Sequence, residues 1–379
     1  GRDQKDHAQA TSRAAGDGAL SLNADLISVT GNLAASGFSA VDLNAAGDLR
    51  AGAAPAYFAE GGTLATSGNL TLTAAQVYPT TASKYAFEIQ NNAQGVLTVR
   101  PSGRTPGMVY SALGDLTLAA PHIVQAGRVV APMGQIRLLS QDITRTGGSM
   151  ASATRTGAAG GTVDLSAGSV TSVSAAGLLL PYGQTTLSGQ EWIYLISGTD
   201  PLALDATPQA AITLNGDRVN VAGASGDAPA ARVDLSGGGD LQAWEWIPGT
   251  GGSRDVLSAA ETKDTYAILP SLGSGWAPHD AAIYADDANG LRAGDAITLL
   301  GGIDGVPAGT YSLLPARYAL LPGALLVKVS RDSQDVVAGR SVVTADGSVQ
   351  VAARDARITA TGNASGGKNY VARLYTSEQ

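Results

Sequence analysis

Short stretches of this chain alternate apolar and polar residues with a period of two, and a glycine with a small polar neighbour stands before each: GDGALSLNAD from Gly16, GDLRAGA from Gly47, GNLTLTAA from Gly68, GDLTLAA from Gly114 and GGTVDLSAG from Gly160. In these copies Leu20 and Leu22, Leu70 and Leu72, Leu116 and Leu118, and Val163 and Leu165 are two apart, so each pair falls on one face of a strand. Ser21, Thr71, Thr117 and Asp164 face the other way. A single such strand cannot bury its apolar row, but strands stacked coil on coil can. The recurrence therefore predicts a solenoid whose interior is a ladder of Leu, Val, Ile and Ala.

The pattern is nearly continuous from Gly16 to about Ala176, with wider gaps at Ala53–Gly61, Gln76–Gly95 and Gly147–Gly160 that read as loops thrown out from a corner. Within the second gap, Tyr78–Ile89 is expected to form a short hairpin lying on the rod. The coil rhythm returns at Ile212–Ala224 and Ala231–Ala243, and again at Arg340–Gly367. Between them the texture changes. Prolines recur at 248, 270, 278, 307, 315 and 322, and Tyr266–Pro270, Tyr311–Pro315 and Tyr318–Pro322 read as short strands, each stopped by a proline that cannot donate to a ladder. The predicted organisation is coils over 1–243, an inserted β-rich module over 244–330 and resumed coils over 331–379.

Composition narrows the alternatives. The 379 residues are 44% hydrophobic but only 5% aromatic and 15% charged, too apolar for disorder and too poor in Glu, Lys and Arg for a helical bundle. No run approaches the ~18 apolar residues of a membrane-spanning helix. A net charge of −8 with scattered basic residues argues against nucleic acid as a partner. There is no Cys, which removes disulfides and thiol chemistry and suits export through a pore in the unfolded state. The chain opens on the polar GRDQKDHAQA without an initiating Met or signal-like segment, and is read as an internal piece of a longer protein.

The coil phrases, AAQVYPTTASKYAFEIQNN, GGDLQAWEWIPGTGGSRDVL and above all GVPAGTYSLLPARYALLPGALLVKV, from Gly305 to Val329, resemble the large filamentous-haemagglutinin-like exoproteins of Gram-negative bacteria. The resemblance covers nearly the whole chain, and the Gly305–Val329 tract is its specific part. It implies a right-handed parallel β-helix exported by two-partner secretion through an outer-membrane barrel and used at the cell surface for adhesion or contact-dependent inhibition. The family's amino-terminal secretion domain carries Asn-Pro motifs; no such dipeptide occurs here, so this segment is not the one that addresses the barrel.

Candidate chemistry is sparse. His7, His122 and His279 have no second ligand at metal-binding spacing, and no nucleophile elbow or phosphate loop occurs. The acidic run from Asp280 through Asp286 and Asp287 to Asp295 and Asp304 lacks calcium-loop spacing and reads as solvated carboxylates. The expectation is therefore no catalytic residue, no metal, no cofactor and no enzyme activity. Recognition of a host or bacterial receptor or glycan falls to the aromatic residues Trp244, Trp246, Trp276, Tyr284, Tyr311 and Tyr318, which equally suit the private core of an inserted module. The leading expectation is an adhesive rod segment. A recognition segment of a contact-dependent inhibition exoprotein and a polysaccharide-active β-helix enzyme are its rivals.

Overall fold

The computed structural model describes residues 16–53, 61–145, 153–185, 191–194, 202–204, 206, 209–252, 254–257, 262–272, 290–331, 336–355 and 368–376. The chain divides into two compact units, Gly1–Tyr182 with Ala206–Gln242, and Gly183–Asp205 with Ala243–Gln379. Both are built from strands, and no α-helix occurs among the described residues.

In the first unit the chain visits three parallel sheets in rotation. The first sheet stacks Gly18–Ala24, Phe38–Ala45, Asn69–Ala74, Val96–Pro101, His122–Gln125, Thr162–Leu165 and Arg218–Val221. The second stacks Ile27–Thr30, Asp48–Gly52, Gln76–Pro79, Arg128–Val130, Val170–Ser172 and Arg232–Asp234. The third stacks Asn32–Ala35, Gly62–Thr66, Lys84–Ile89, Asp115–Ala120, Gln135–Thr144 and Ala211–Asn215. Parallel pairing puts like on like. One column of the first sheet runs Leu20, Val41, Leu70, Leu97, Ile123, Val163, Val219 without a break. Its members from Val41 to Val163 are buried in one continuous core with Leu116, Leu118, Ile136 and Leu138 of the third sheet.

Corners bring backbone against backbone. A Cβ at Gly134 would lie 2.0 Å from the carbonyl oxygen of Gly114, the equivalent corner one coil away, so only glycine fits there. The segment Tyr78–Ile89 is not a hairpin on the rod. Gln76–Pro79 and Lys84–Ile89 are strands of the second and third sheets, paired parallel with the coils on either side, and Tyr85 and Phe87 are buried inside. The turn between them is simply a corner.

The second unit is antiparallel. Its main sheet is ordered Gly309–Ser312, Ala296–Leu299, Val349–Asp355, Asn369–Tyr375, Leu325–Ser330, Thr265–Ile268, Leu314–Pro315, with Ser341–Val343 paired to Val349–Asp355. Tyr266, Ile268, Ile297, Leu299, Val327, Val351 and Leu374 close a separate core. Two expectations are corrected here. The stretch after residue 331 does not resume the coils, because Val349–Asp355 pairs antiparallel with Ala296–Leu299, and Asn369–Tyr375 with Leu325–Ser330. The third proline-stopped phrase is not a strand either, since Ala316–Leu320 is a 3-10 helix. In the remaining part of this unit, Trp192–Tyr194 pairs antiparallel with Leu202–Leu204.

Candidate functional site

The outer face of the second sheet carries a polar arrangement built around Asp48, Gln76, Arg128, Arg232 and Asp234. Alternation exposes one row of side chains outside the solenoid. Asp48 pairs with Gln76, Val77 with Val129 so that Gln76 and Arg128 occupy adjacent rungs, and Arg128 with Val170 and then Arg232. A second row follows Tyr78, Val130, Ser172 and Asp234.

Part of this face is roofed. In the coil after Val96–Pro101 the second sheet has no strand, and the loop over 102–114 crosses the face instead. Val109 packs on Tyr78 and Val130. Gln76 is fully buried beneath the loop, and its Nε2 donates to the Gly107 carbonyl at 3.1 Å and to Asp48 Oδ2 at 3.3 Å. Tyr78 Oη donates to the same carboxylate oxygen at 3.2 Å. Burial lifts the Asp48 carboxyl above its ordinary value, against the pull of the Gln76 and Tyr78 hydrogen bonds and of the Arg50 charge.

Where the roof ends, a groove of about 310 Å³ opens. Gln76, Met108 and Val109 lie at the roofed side, Arg128 and Val170 along the floor, and Arg232, Asp234, Ser174 and Ser236 at the far side. Ser236 Oγ donates to Asp234 Oδ1 at 2.5 Å and chiefly holds that carboxyl below its ordinary range, helped by Arg232, whose Nη2 pairs with Asp234 Oδ2 at 2.6 Å. Arg128 is treated differently. Its Nε is buried without a hydrogen-bond partner, and the residue makes no ion pair among the described residues. Burial, and then the like charge of Arg232, lower its pKa; Asp234 acts in the opposite direction. Gln76 Oε1 is likewise buried and unpartnered. Both acceptors of Gln76 Nε2 fix the amide's orientation, so Oε1 cannot exchange places with it.

The aromatic residues singled out from the sequence lie in the second unit. Tyr311 and Tyr318 are buried in it. Trp244 ends the strand Asp240–Trp244 half-buried, with the Arg317 guanidinium 3.6 Å over its ring and paired on its other side with Asp255. Trp246 lies beyond the strand, also half-buried, so the two indoles do not share a strand face. Trp276 and Tyr284 lie outside the described residues, as do His7, His279, Asp280, Asp286 and Asp287. Asp295 is buried and paired with Arg292, and His122 Nδ1 lies 3.4 Å from Thr162 Oγ1 of the next coil. No group of three His, Asp or Glu side chains converges as a metal site among the described residues.

Fold and groove together define an all-β protein made of a parallel-sheet solenoid and an antiparallel unit. Compared with protein-family models, curated proteins and solved structures, the chain finds no match in any of the three. No helix among the described residues is long and apolar enough to cross a membrane.

Proposed function

We propose that the chain is an internal segment of a secreted bacterial surface adhesin of the filamentous-haemagglutinin type, with the first unit a right-handed parallel β-helix and the second unit the part used for attachment. The observation that carries this reading is the unbroken apolar column from Leu20 to Val219, buried from Val41 to Val163. The strands of each coil pair with those of the coils stacked on them, so a coil emerging from an outer-membrane barrel can pair with the one already folded, and folding itself draws the chain outward. Parallel crossovers are right-handed in nearly all sheets, which favours that hand. The Gly305–Val329 tract supports the family.

A receptor- or glycan-recognition role in contact-dependent inhibition is favoured by one feature of the second unit. Ile247, Val256 and Leu320 are 72%, 69% and 57% exposed, and each lies within a few residues of the Trp244–Arg317–Asp255 cluster. Exposed apolar residues beside a fixed aromatic are what a partner would cover.

Attachment tests both readings. Beads coated with the chain should adhere to epithelial or bacterial cells, and beads coated with residues 1–242, with 183–205 shortened to a Gly/Ser loop, should not. A Trp246→Ala, Ile247→Ser double variant that attaches poorly favours recognition through this patch. Adhesion by neither bead would reduce the chain to a spacer.

A further inference from the structure

The groove on the second sheet is lined by Arg128, half-buried, which makes no ion pair among the described residues and whose Nε is buried without a hydrogen-bond partner. Buried polar groups are ordinarily paired, and leaving one unpaired costs stability, so a guanidinium left without a protein partner at an opening needs a reason. We propose that the groove binds a sugar acid, a hydroxyl-rich ring of monosaccharide size bearing one carboxylate.

Each part of that ligand answers a feature of the site. The planar guanidinium of Arg128 presents parallel donors that match a carboxylate. The Ser174 and Ser236 hydroxyls at the far side serve the ring hydroxyls. Val109, Val170 and Met108 offer an apolar surface to ring C–H groups. Charge sets the valence. Arg232 is already neutralised by Asp234 at 2.6 Å, which leaves Arg128 as the one uncompensated charge of the groove and Asp234 as a repulsive neighbour for any further anion. A monoanion is matched; a phosphate carrying ~1.5–2 charges is not. A volume of about 310 Å³ is enough for one such ring. The inference does not depend on the attachment role of the second unit, because it concerns binding in solution by the first.

Isothermal titration calorimetry of the full chain with glucuronate tests it, with glucose and inorganic phosphate as controls. Glucuronate should bind, and glucose and phosphate at least about tenfold more weakly, the loss expected when a charge-assisted pair is missing or mismatched. Arg128→Gln should weaken glucuronate by about ten- to a hundredfold at an unchanged melting temperature. Met108→Trp, a change at an exposed position that fills the groove, should abolish binding and serves as the deciding variant if Arg128→Gln does not fold. No heat at about 20 mM glucuronate, a concentration that registers a Kd near 10 mM, would overturn the proposal. So would equal affinity for glucose, tighter binding of phosphate, or a folded Met108→Trp chain that binds like the native one.

Discussion

Gln125 Nε2 donates to Thr171 Oγ1 at 3.1 Å from one coil to the next, and neither residue is exposed. Gln125 stands in a column of the first sheet that otherwise reads Leu22, Leu43, Leu72, Val99, Leu165 and Val221. Its amide also serves the Val170 carbonyl and both polar groups of the Gly127 backbone. A polar side chain is tolerated in the core there because it satisfies a corner that the sheets cannot.

Gln125→Leu keeps the volume and takes the amide away from the Gly127 N–H and the Val170 carbonyl, while the Gly127 carbonyl keeps the Val170 N–H. It should cost at least about 2 kcal/mol in urea unfolding, despite raising the apolar content of the core. A neutral or stabilising effect would mean that the corner is satisfied by water.

Leu118 and Thr117 are adjacent in Asp115–Ala120, with Leu118 buried and Thr117 on the outer face. Leu118→Ala should destabilise by about 2–5 kcal/mol and Thr117→Ala by less than about 1. Equal losses would indicate a register displaced by one residue.

The buried carboxyl of Asp48 gives a pH dependence of definite sign. Its pKa is raised in the fold above 3.8, so between that value and the folded one the native state keeps a proton that the unfolded chain has lost. The contribution of Asp48 to stability therefore falls as pH rises through this window. Asp48→Asn, which still accepts from Gln76 and Tyr78, should lose less stability than the native chain between about pH 4 and about pH 7, as read from urea midpoints. A variant with the native pH dependence would place the titration elsewhere.

The interior columns were legible in the sequence because a period of two survives wherever a strand is buried on one face, as at Leu70 and Leu72 or Val163 and Leu165. The same period misleads about pairing. Val349, Val351 and Ala353 alternate like a coil, yet they belong to an antiparallel sheet, since alternation records burial and not strand direction. Tyr85 and Phe87 stand out as aromatics in an aliphatic ladder, although they keep its spacing and fill its interior. The groove was harder to see because Gln76, Arg128 and Asp234 are ordinary outward positions far apart in sequence. One signal was available. Arg128-Val129-Val130 and Arg232-Val233-Asp234 begin strands of the same sheet with the same Arg-Val pair, and aligning the coils by that phrase puts both guanidinium groups in one row.

The antiparallel pairing also fixes where the chain can be cut. Replacing residues 244–330 alone should strip Val349–Asp355 of its neighbour Ala296–Leu299 and Asn369–Tyr375 of its neighbour Leu325–Ser330, leaving a small residual sheet open to protease. Ending the chain at Gln242, with residues 183–205 shortened to a Gly/Ser loop, should leave the solenoid folded, because its core is its own. Loss of the β-type circular dichroism in this shortened chain would show that the solenoid depends on its companion.

The parallel stack is tested most directly by distance. In the first sheet Ser21, Asp42, Thr71, Thr98, Val124, Asp164 and Asn220 form one outward column. The chain lacks Cys, so spin labels can be placed in pairs without background. At about 4.8 Å per strand, four rungs separate Ser21 from Val124 by about 19 Å and six separate it from Asn220 by about 29 Å between Cα atoms. Pulsed electron resonance should return narrow distributions differing by about 10 Å, the two-rung increment. An Asn220 label no farther from Ser21 than the Val124 label, or broad overlapping distributions, would contradict the stack.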